Sequence, residues 1–193
     1  MKDTIVDLPI LPLPVFLLPG GITRLRIFEP YHFKLIKLAT QGEGFVICLN
    51  PQEPKKPIIK WGSWVEVVNF DQGKDGVLEI DVKCNALVDI QSIHKNLDNL
   101  YMGKVCEIFH WSQARDDSTV SELGDSLAEV FVNDTMLSEL YLNRFSQNTS
   151  WVVARWLEIL PVNLTVKSAF VDAHNYDEAK YFVQSIIGLD KKN

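Results

Sequence analysis

The sequence has few cysteines, and none of them is spaced as a metal-binding or redox pair. Three occur in 193 residues, each within an apolar run and without a CxxC spacing: Cys48, Cys84 and Cys106. A free thiol in such a run behaves as a small buried hydrophobe, and an odd number does not suit a disulfide framework. We therefore expect reduced thiols in the core of a cytoplasmic protein.

Long hydrophobic runs are also missing. No stretch reaches the ~20 apolar residues that a membrane-spanning helix requires. The apolar N-terminus, residues 1–21, has Asp3 and Asp7 where a signal peptide is positively charged, and prolines interrupt it. The sequence therefore predicts neither a membrane segment nor an export signal.

Positive charge is scarce. The formal net charge is −6. Residues 1–112 carry 12 Lys and Arg against 13 Asp and Glu, and the remainder carries 7 against 12. Neither part offers the concentrated positive field that a phosphate backbone attracts, so nucleic acid is disfavoured as a partner.

The motifs of common enzymes are absent. Gly73-Lys74 and Gly103-Lys104 lack the upstream glycine and the following Ser or Thr of a phosphate-binding loop, and no GxSxG, HExxH or GxGxxG occurs. The histidines stand alone in the sequence: His32, His94, His110 and His174. The carboxylate pairs Asp116-Asp117 and Asp177-Glu178 fit a solvated linker and the first turn of a helix. The sequence thus identifies no catalytic residue, no cofactor-binding residue and no metal ligand, and it names no binding-surface residue.

The first part of the chain, residues 1–112, has the patterns of about six strands and one helix. Residues 23–28 and 77–84 alternate polar and apolar side chains at the period of a strand. Leu8 to Leu13 is apolar but rich in proline, which predicts an edge or irregular strand. Glu29-Pro30 opens the helix, because proline suits the first helical position. These patterns predict an antiparallel, barrel-like sheet.

The second part, residues 118–190, changes to a helical period. Leu123, Leu127, Val130 and Phe131 share one face, and a predicted helix from Ser150 ends before Pro161. Asn163 and Asn175 suit further helix starts. Four or five short helices cannot each bury a face alone, so they are expected to pack as a bundle.

Tryptophans offer the clearest candidates for a binding surface. Trp61 and Trp64 are three residues apart and fall on opposite faces of a regular strand, so that one of them would point outward unless Gly62 bends the chain. An exposed tryptophan is a suitable anchor for a peptide. The alternative is that both are buried between the two parts of the chain. Burial is also expected for Trp151 and Trp156, which lie on an apolar helix.

The segment LPILPLPVFLLPGGITRLRIFEPY, from Leu8 to Tyr31, resembles the opening of Lon protease N-terminal domains. In that family an LPLFPL-type strand leads to LFPG and then to an L-x-IFEP strand end followed by an aromatic residue. The matching positions are Leu13, Pro14, Leu18, Pro19, Gly20, Leu25, Ile27, Phe28, Glu29, Pro30 and Tyr31. Trp61-Gly62-Ser63 resembles a VGT-like strand start, Asp75-Gly76 falls in the matching hairpin, and residues 151–161 resemble the helical segment that ends in Leu-Pro.

The chain also departs from that pattern. Where the family has a VEGxxRF-like strand, this chain has Cys84 in place of the glycine and Leu87 in place of the arginine. No contact that the family makes through that arginine therefore carries over. The motif residues Pro14, Pro19, Gly20, Phe28, Glu29 and Pro30 are expected to serve the fold, with Phe28 packed inside.

The resemblance implies an α+β fold, with a PUA-like β-barrel and one inserted helix at residues 1–112 and a helical bundle at 118–190. It implies a stand-alone, non-catalytic module that binds proteins or unfolded peptides, with a link to proteolysis or protein quality control and with no cofactor. The ATPase and Ser–Lys peptidase of complete Lon proteases follow this region and are not in the sequence. Two alternatives stay open: an RNA-binding PUA-like domain, and a hydrolase whose Cys–His or Ser–His pair assembles through space.

Overall fold

The computed structural model describes residues 4–49, 60–111 and 120–188. These residues fall into two compact units that divide between Ile108 and Phe109. The proline-containing segment 51–57, for which the sequence predicts a solvated connection, and the Asp116-Asp117 pair lie outside the described residues. Within them the fold is mixed α+β, with one six-stranded sheet and six helices.

The first unit holds all the strands of the sheet. They are β1 (Ile5–Pro12), β2 (Ile22–Ile27), β3 (Phe45–Cys48), β4 (Trp61–Gln72), β5 (Leu78–Lys95) and β6 (Tyr101–Ile108). The order across the sheet is β2-β5-β4-β3-β1-β6, and β6 also pairs with β5. Hydrogen-bonded pairing therefore runs from β5 through β4, β3, β1 and β6 and returns to β5. All pairs are antiparallel except β1 with β3, which is parallel.

Strand β1 is not at an edge, which was one of the two alternatives predicted from its prolines; its pairing is instead irregular, because it changes partner along its length. Residues Ile5 to Pro9 pair with β6, whereas Ile10 to Pro12 pair with β3. The partner changes immediately after Pro9, so each part of β1 pairs with another strand on one side only. The other side of the strand can then hold the positions where proline lacks an N–H. This change of partner is how an interior strand accommodates residues that have no backbone N–H.

Glycine is required at two positions in the first unit, for different reasons. Gly20 has φ 80° and follows Pro19 in a turn that Gly21 closes by donating to the Leu18 carbonyl at 2.8 Å, as predicted. Gly62 does not bend β4, because the register shifts occur after Trp64 and after Val67. A Cβ on Gly62 would instead stand 2.4 Å from Val46 Cγ1. Close packing explains this glycine.

Helix α1 (Pro30–Gln41) begins at the predicted proline and buries Leu35, Ile36 and Ala39. Tyr31, Leu35 and Leu38 are spaced to share one face of this helix, but Leu38 is 36% exposed. The core cluster on one side of the sheet draws on several strands and consists of Leu8, Ile10, Val46, Cys48, Val88, Ile90 and Val105.

The second unit contains the remaining helices: α2 (Ser121–Asn133), α3 (Thr135–Leu140), α4 (Thr149–Ile159), α5 (Leu164–Ser168) and α6 (Tyr176–Ile187). The cap of α4 is Asn148, whose side chain accepts from the Trp151 N–H at 2.9 Å, and not the expected Ser150. Asn163 caps α5 as predicted. Gly188, with φ 82°, ends α6. No helix in the part of the chain that the structure describes has the length and apolar character needed to cross a membrane.

Candidate functional site

One end of the sheet forms a three-stranded ribbon, made of β2, the second half of β4 and the first half of β5. Ile27 pairs with Leu78, which pairs on its other side with Gln72, so the three strands end together. We call residues 22–27, 66–72 and 78–83 the ribbon. Alternation in the strands gives the ribbon one charged face and one apolar face.

The charged face is organised by Arg24 and Asp81. Arg24 Nε lies 2.7 Å from Asp81 Oδ1 and its Nη2 lies 3.1 Å from Oδ2, while Asn69 donates to Oδ2 at 3.1 Å. Burial alone would raise the pKa of Asp81, but the hydrogen bonds from Arg24 and Asn69 and the charge of Arg24 hold it below its usual value. The arginine charge is thus neutralised within the ribbon.

The second ribbon arginine is held in the same way. Arg26 forms an ion pair with Asp75 in the β4–β5 turn, and its Nε lies 3.5 Å from Glu79 Oε1. The hydrogen bond from Arg26, with one from the Val77 N–H, lowers the pKa of Asp75. Because both arginines face carboxylates, the charged face offers no concentration of free cations.

Apolar side chains at the same end of the sheet are exposed to solvent. Phe28, the residue after β2, is 65% exposed, Phe70 is 54% exposed and Val68 is 48% exposed. The expectation that Phe28 packs in the interior was wrong, because Leu25 and Ile27 take the inward positions of β2 and the next residue points away. Single exposed apolar residues are normal, but Val68 and Phe70 lie two residues apart in one exposed stretch of β4 and are a candidate contact surface. Phe28 lies across β5 from them, and because it points away from Leu25, whose partner Ile80 is also the partner of Phe70, it does not share their face.

The tryptophans of β4 are not free anchors. No register shift occurs between Trp61 and Trp64, so they lie on opposite faces as the spacing predicts. Both are partly exposed. The Trp61 ring packs edge-on against Phe16 with centroids 5.7 Å apart, whereas Trp64 packs against the core cluster and donates from Nε1 to the Glu43 carbonyl at 2.5 Å.

The tryptophans of α4 are buried, as expected. Trp151 is 9% exposed and meets Phe131, Tyr141 and Phe145 edge-on. Trp156 donates to the Leu123 carbonyl at 2.9 Å. Both side chains therefore serve the core of the second unit.

A buried ion pair lies beside this aromatic cluster. Arg155 is fully buried, and its Nε and Nη2 each lie 2.7 Å from an oxygen of Glu158. Its guanidinium also stands 5.6 Å from the centre of the Trp151 ring. Lys167 Nζ donates to the Glu158 carbonyl at 2.9 Å, and burial lowers the pKa of this lysine, against the opposing effect of Glu158. These contacts fix α4 against α5 within the second unit.

The histidines meet carboxylates or a carbonyl. His32, His94 and His174 lie 3.9, 3.3 and 3.1 Å from Glu29, Asp7 and Asp172. His110 Nδ1 lies 3.0 Å from the Val171 carbonyl, and burial lowers its pKa to about 4.

Two of the three cysteines, Cys48 and Cys84, are buried. Burial raises the pKa of Cys48 to about 12, so its thiolate is not available near neutral pH. Cys84 and Leu87, the two departures from the family pattern, are both fully buried in β5. Across residues 4–49, 60–111 and 120–188, no group of three His, Cys, Asp or Glu side chains is placed to hold a metal ion.

The sequence did not single out Val68 and Phe70. Their apolar character resembles that of core positions in β4. One signal was present: the adjacent Val67 and Val68 break the alternation, and the structure has a bulge there. A bulge near the end of a strand often changes the direction of a side chain.

Comparisons with known proteins bear on the whole chain. Residues 7–192 match the family model described as the ATP-dependent protease La (LON) substrate-binding domain. A Lon N-terminal domain protein from Xanthomonas campestris has a similar structure, with a TM-score of 0.68, 24% identity, and coverage of 92% of this chain and 98% of that one. The N-terminal domain of a Mycobacterium avium complex Lon protease gives a TM-score of 0.66 at 14% identity, covering 93% and 97%. A search of curated proteins finds no match.

Proposed function

Because the chain belongs to the family of ATP-dependent protease La (LON) substrate-binding domains, we propose that it binds segments of unfolded protein and performs no catalysis of its own. The observation that carries the proposal is the exposure of Val68 and Phe70 in β4 at one end of the sheet. Unfolded chains expose the apolar side chains that native proteins hide, so an apolar surface on the binder distinguishes the two.

The finer features of the fold are part of this proposal. We propose that the circular pairing of β5, β4, β3, β1 and β6 is a PUA-like barrel, and that the helices after residue 118 form a bundle. Residues 1–112 and 118–190 would then be separate domains. A link to proteolysis, in which the chain delivers clients to a separate protease in the cytoplasm, would follow from the same binding activity.

The lack of catalysis is proposed from the family and from the site chemistry. The family is a substrate-binding domain and not the peptidase part of a protease. The Cys48 thiol is held protonated by burial, His110 Nδ1 contacts the Val171 carbonyl, and Lys167 Nζ donates to the Glu158 carbonyl.

RNA binding is the weaker alternative. It requires cations that are free to meet phosphates, whereas Arg24 and Arg26 in the ribbon are engaged by Asp81, Asp75 and Glu79. A gel-shift assay with single-stranded RNA at low salt tests this alternative, and binding that weakens steeply with salt would revive it.

The test of the proposed function uses reduced, carboxymethylated α-lactalbumin, which stays unfolded, labelled with fluorescein. We expect its fluorescence anisotropy to rise saturably with the protein, and native α-lactalbumin to give no rise. Phe70→Ser should weaken binding about 10-fold or more, since burial of a phenylalanine contributes about 1.5–3 kcal/mol. Val132→Ser, which changes an exposed apolar residue of α2, is the control.

A further inference from the structure

We propose that the outer edge of β4, from Glu66 to Gln72, captures a client peptide as an additional β-strand. This inference rests on the proposed function and states how the client is held. We call these residues the β4 edge. The juxtaposition behind it is a strand edge that pairs with no strand of the described residues and that carries exposed Val68 and Phe70.

The β4 edge is open because β3 is short. Strand β3 pairs with β4 only at Ser63, Trp64 and Val65. Beyond Val65, β4 continues to Gln72 with β5 on its inner side. Within the described ranges, no strand pairs with its outer side, and every residue from Val68 to Gln72 is exposed.

The register identifies the backbone groups that point outward. Gly73 donates to the Val77 carbonyl at 2.8 Å, and hydrogen-bonded pairs alternate along an antiparallel ladder. Asp71 and Asn69 are therefore bonded to β5, whereas the N–H and C=O of Phe70 and Gln72 point away from it. The Gln72 N–H donates to Asp71 Oδ1 at 2.7 Å. Phe70 thus presents both a donor and an acceptor to an incoming strand.

The side chains of the β4 edge indicate which kind of peptide would bind to it. Phe70 lies on the apolar face of the ribbon, opposite Ile80, while Glu66 and Asp71 lie on the other face, opposite Lys83 and Glu79. The ion pairs of the described residues leave the carboxylates of Glu66 and Asp71 without a cationic partner. A strand added to this edge would match it with bulky apolar residues on one face and lysine or arginine on the other. We therefore assign the edge to an extended peptide in which apolar and basic residues alternate.

The decisive experiment uses the unmodified protein and fluorescein-labelled peptides in which valine and lysine alternate. One peptide is N-methylated at every valine and another at every lysine. In an added strand, alternate residues direct their N–H groups to the protein, so one methylated peptide should lose binding more than about 10-fold while the other keeps it. Equal binding by both peptides overturns the proposal, and so does equal loss.

A pair of variants tests the protein side. Phe70→Pro removes the outward N–H without removing a bond to β5, because proline is tolerated at an edge position whose N–H faces solvent. Phe70→Val keeps that N–H and suits a strand, so it is the matched control for loss of the ring. We expect Phe70→Pro to bind the alternating peptide about fivefold or more weakly than Phe70→Val, and equal binding by two folded variants contradicts the edge. If Phe70→Pro does not fold, the methylated peptides alone decide.

The outcomes separate the two proposals. If the wild-type protein binds neither unfolded α-lactalbumin nor the alternating peptide, the proposed function and the β4 edge both fail. If it binds unfolded α-lactalbumin but the two methylated peptides behave alike, the edge alone fails. Sedimentation that shows self-association abolished by Phe70→Pro would assign the edge to a second copy of the chain and overturn the peptide assignment.

Discussion

Removing the carboxylate of Glu158 should destabilise the second unit severely. Arg155 and Glu158 are 1% and 8% exposed at their side chains, and two contacts of 2.7 Å join them. Glu158→Ala would remove the carboxylate that two nitrogens of the buried guanidinium contact. Breaking a buried pair in this way costs about 3–5 kcal/mol. The backbone carbonyl of residue 158 would still accept from Lys167, so the lost free energy of unfolding is due to the carboxylate.

Urea unfolding followed by near-UV circular dichroism measures this free energy. Glu129→Ala, which changes an exposed glutamate of α2, is the control and should shift the free energy of unfolding by no more than about 0.5 kcal/mol. The double variant Arg155→Met, Glu158→Leu replaces the pair by apolar groups and should be more stable than Glu158→Ala. A Glu158→Ala loss as small as that of the control would refute the buried pair.

Three further outcomes are expected. The pKa of His110 is lowered from 6.5 to about 4, so the unfolded chain binds this proton more tightly. Stability is then complete above pH 6.5 and falls by about 3 kcal/mol as the pH drops toward 4; His110→Phe should flatten this part of the urea-denaturation profile, and an unchanged slope would count against it. Gly20→Ala places a side chain at φ 80° and should lower the free energy of unfolding, measured with urea, by about 1–2 kcal/mol. An unchanged free energy of unfolding would contradict this prediction. Cys48, with its pKa raised to about 12, should resist a thiol reagent in the native protein while the partly exposed Cys106 reacts, and labelling of Cys48 at the same rate would exclude its burial.

Periodicity and punctuation in the sequence predicted most of the elements because both are local. The alternation of β2 and β5, the proline at the start of α1 and the asparagine at the start of α5 each depend on neighbouring residues alone. Strand β1 shows the limit of this reasoning. Its prolines are placed in the interior of the sheet because the partner changes after Pro9, and a change of partner is a property of tertiary structure.

The candidate site was less accessible to sequence reasoning. Phe28 belongs to a recognisable motif and was expected to pack, yet it is exposed because β2 ends with Ile27 facing inward. Val68 and Phe70 have the composition of core residues, but β3 is short and, within the described residues, no strand pairs with this part of β4 on the side away from β5. Arg155 shows the opposite error: a charged residue predicts exposure, but its pairing with Glu158 permits complete burial.

Titration of labelled, unfolded α-lactalbumin with the purified chain tests the central claim most directly, with mass spectrometry of the client at the end of the titration. A saturable rise in anisotropy that Phe70→Ser weakens, together with a client of unchanged mass, is the result we predict. An anisotropy that stays flat, or a client cut into fragments by the purified chain, would contradict the account of a binding module without catalysis.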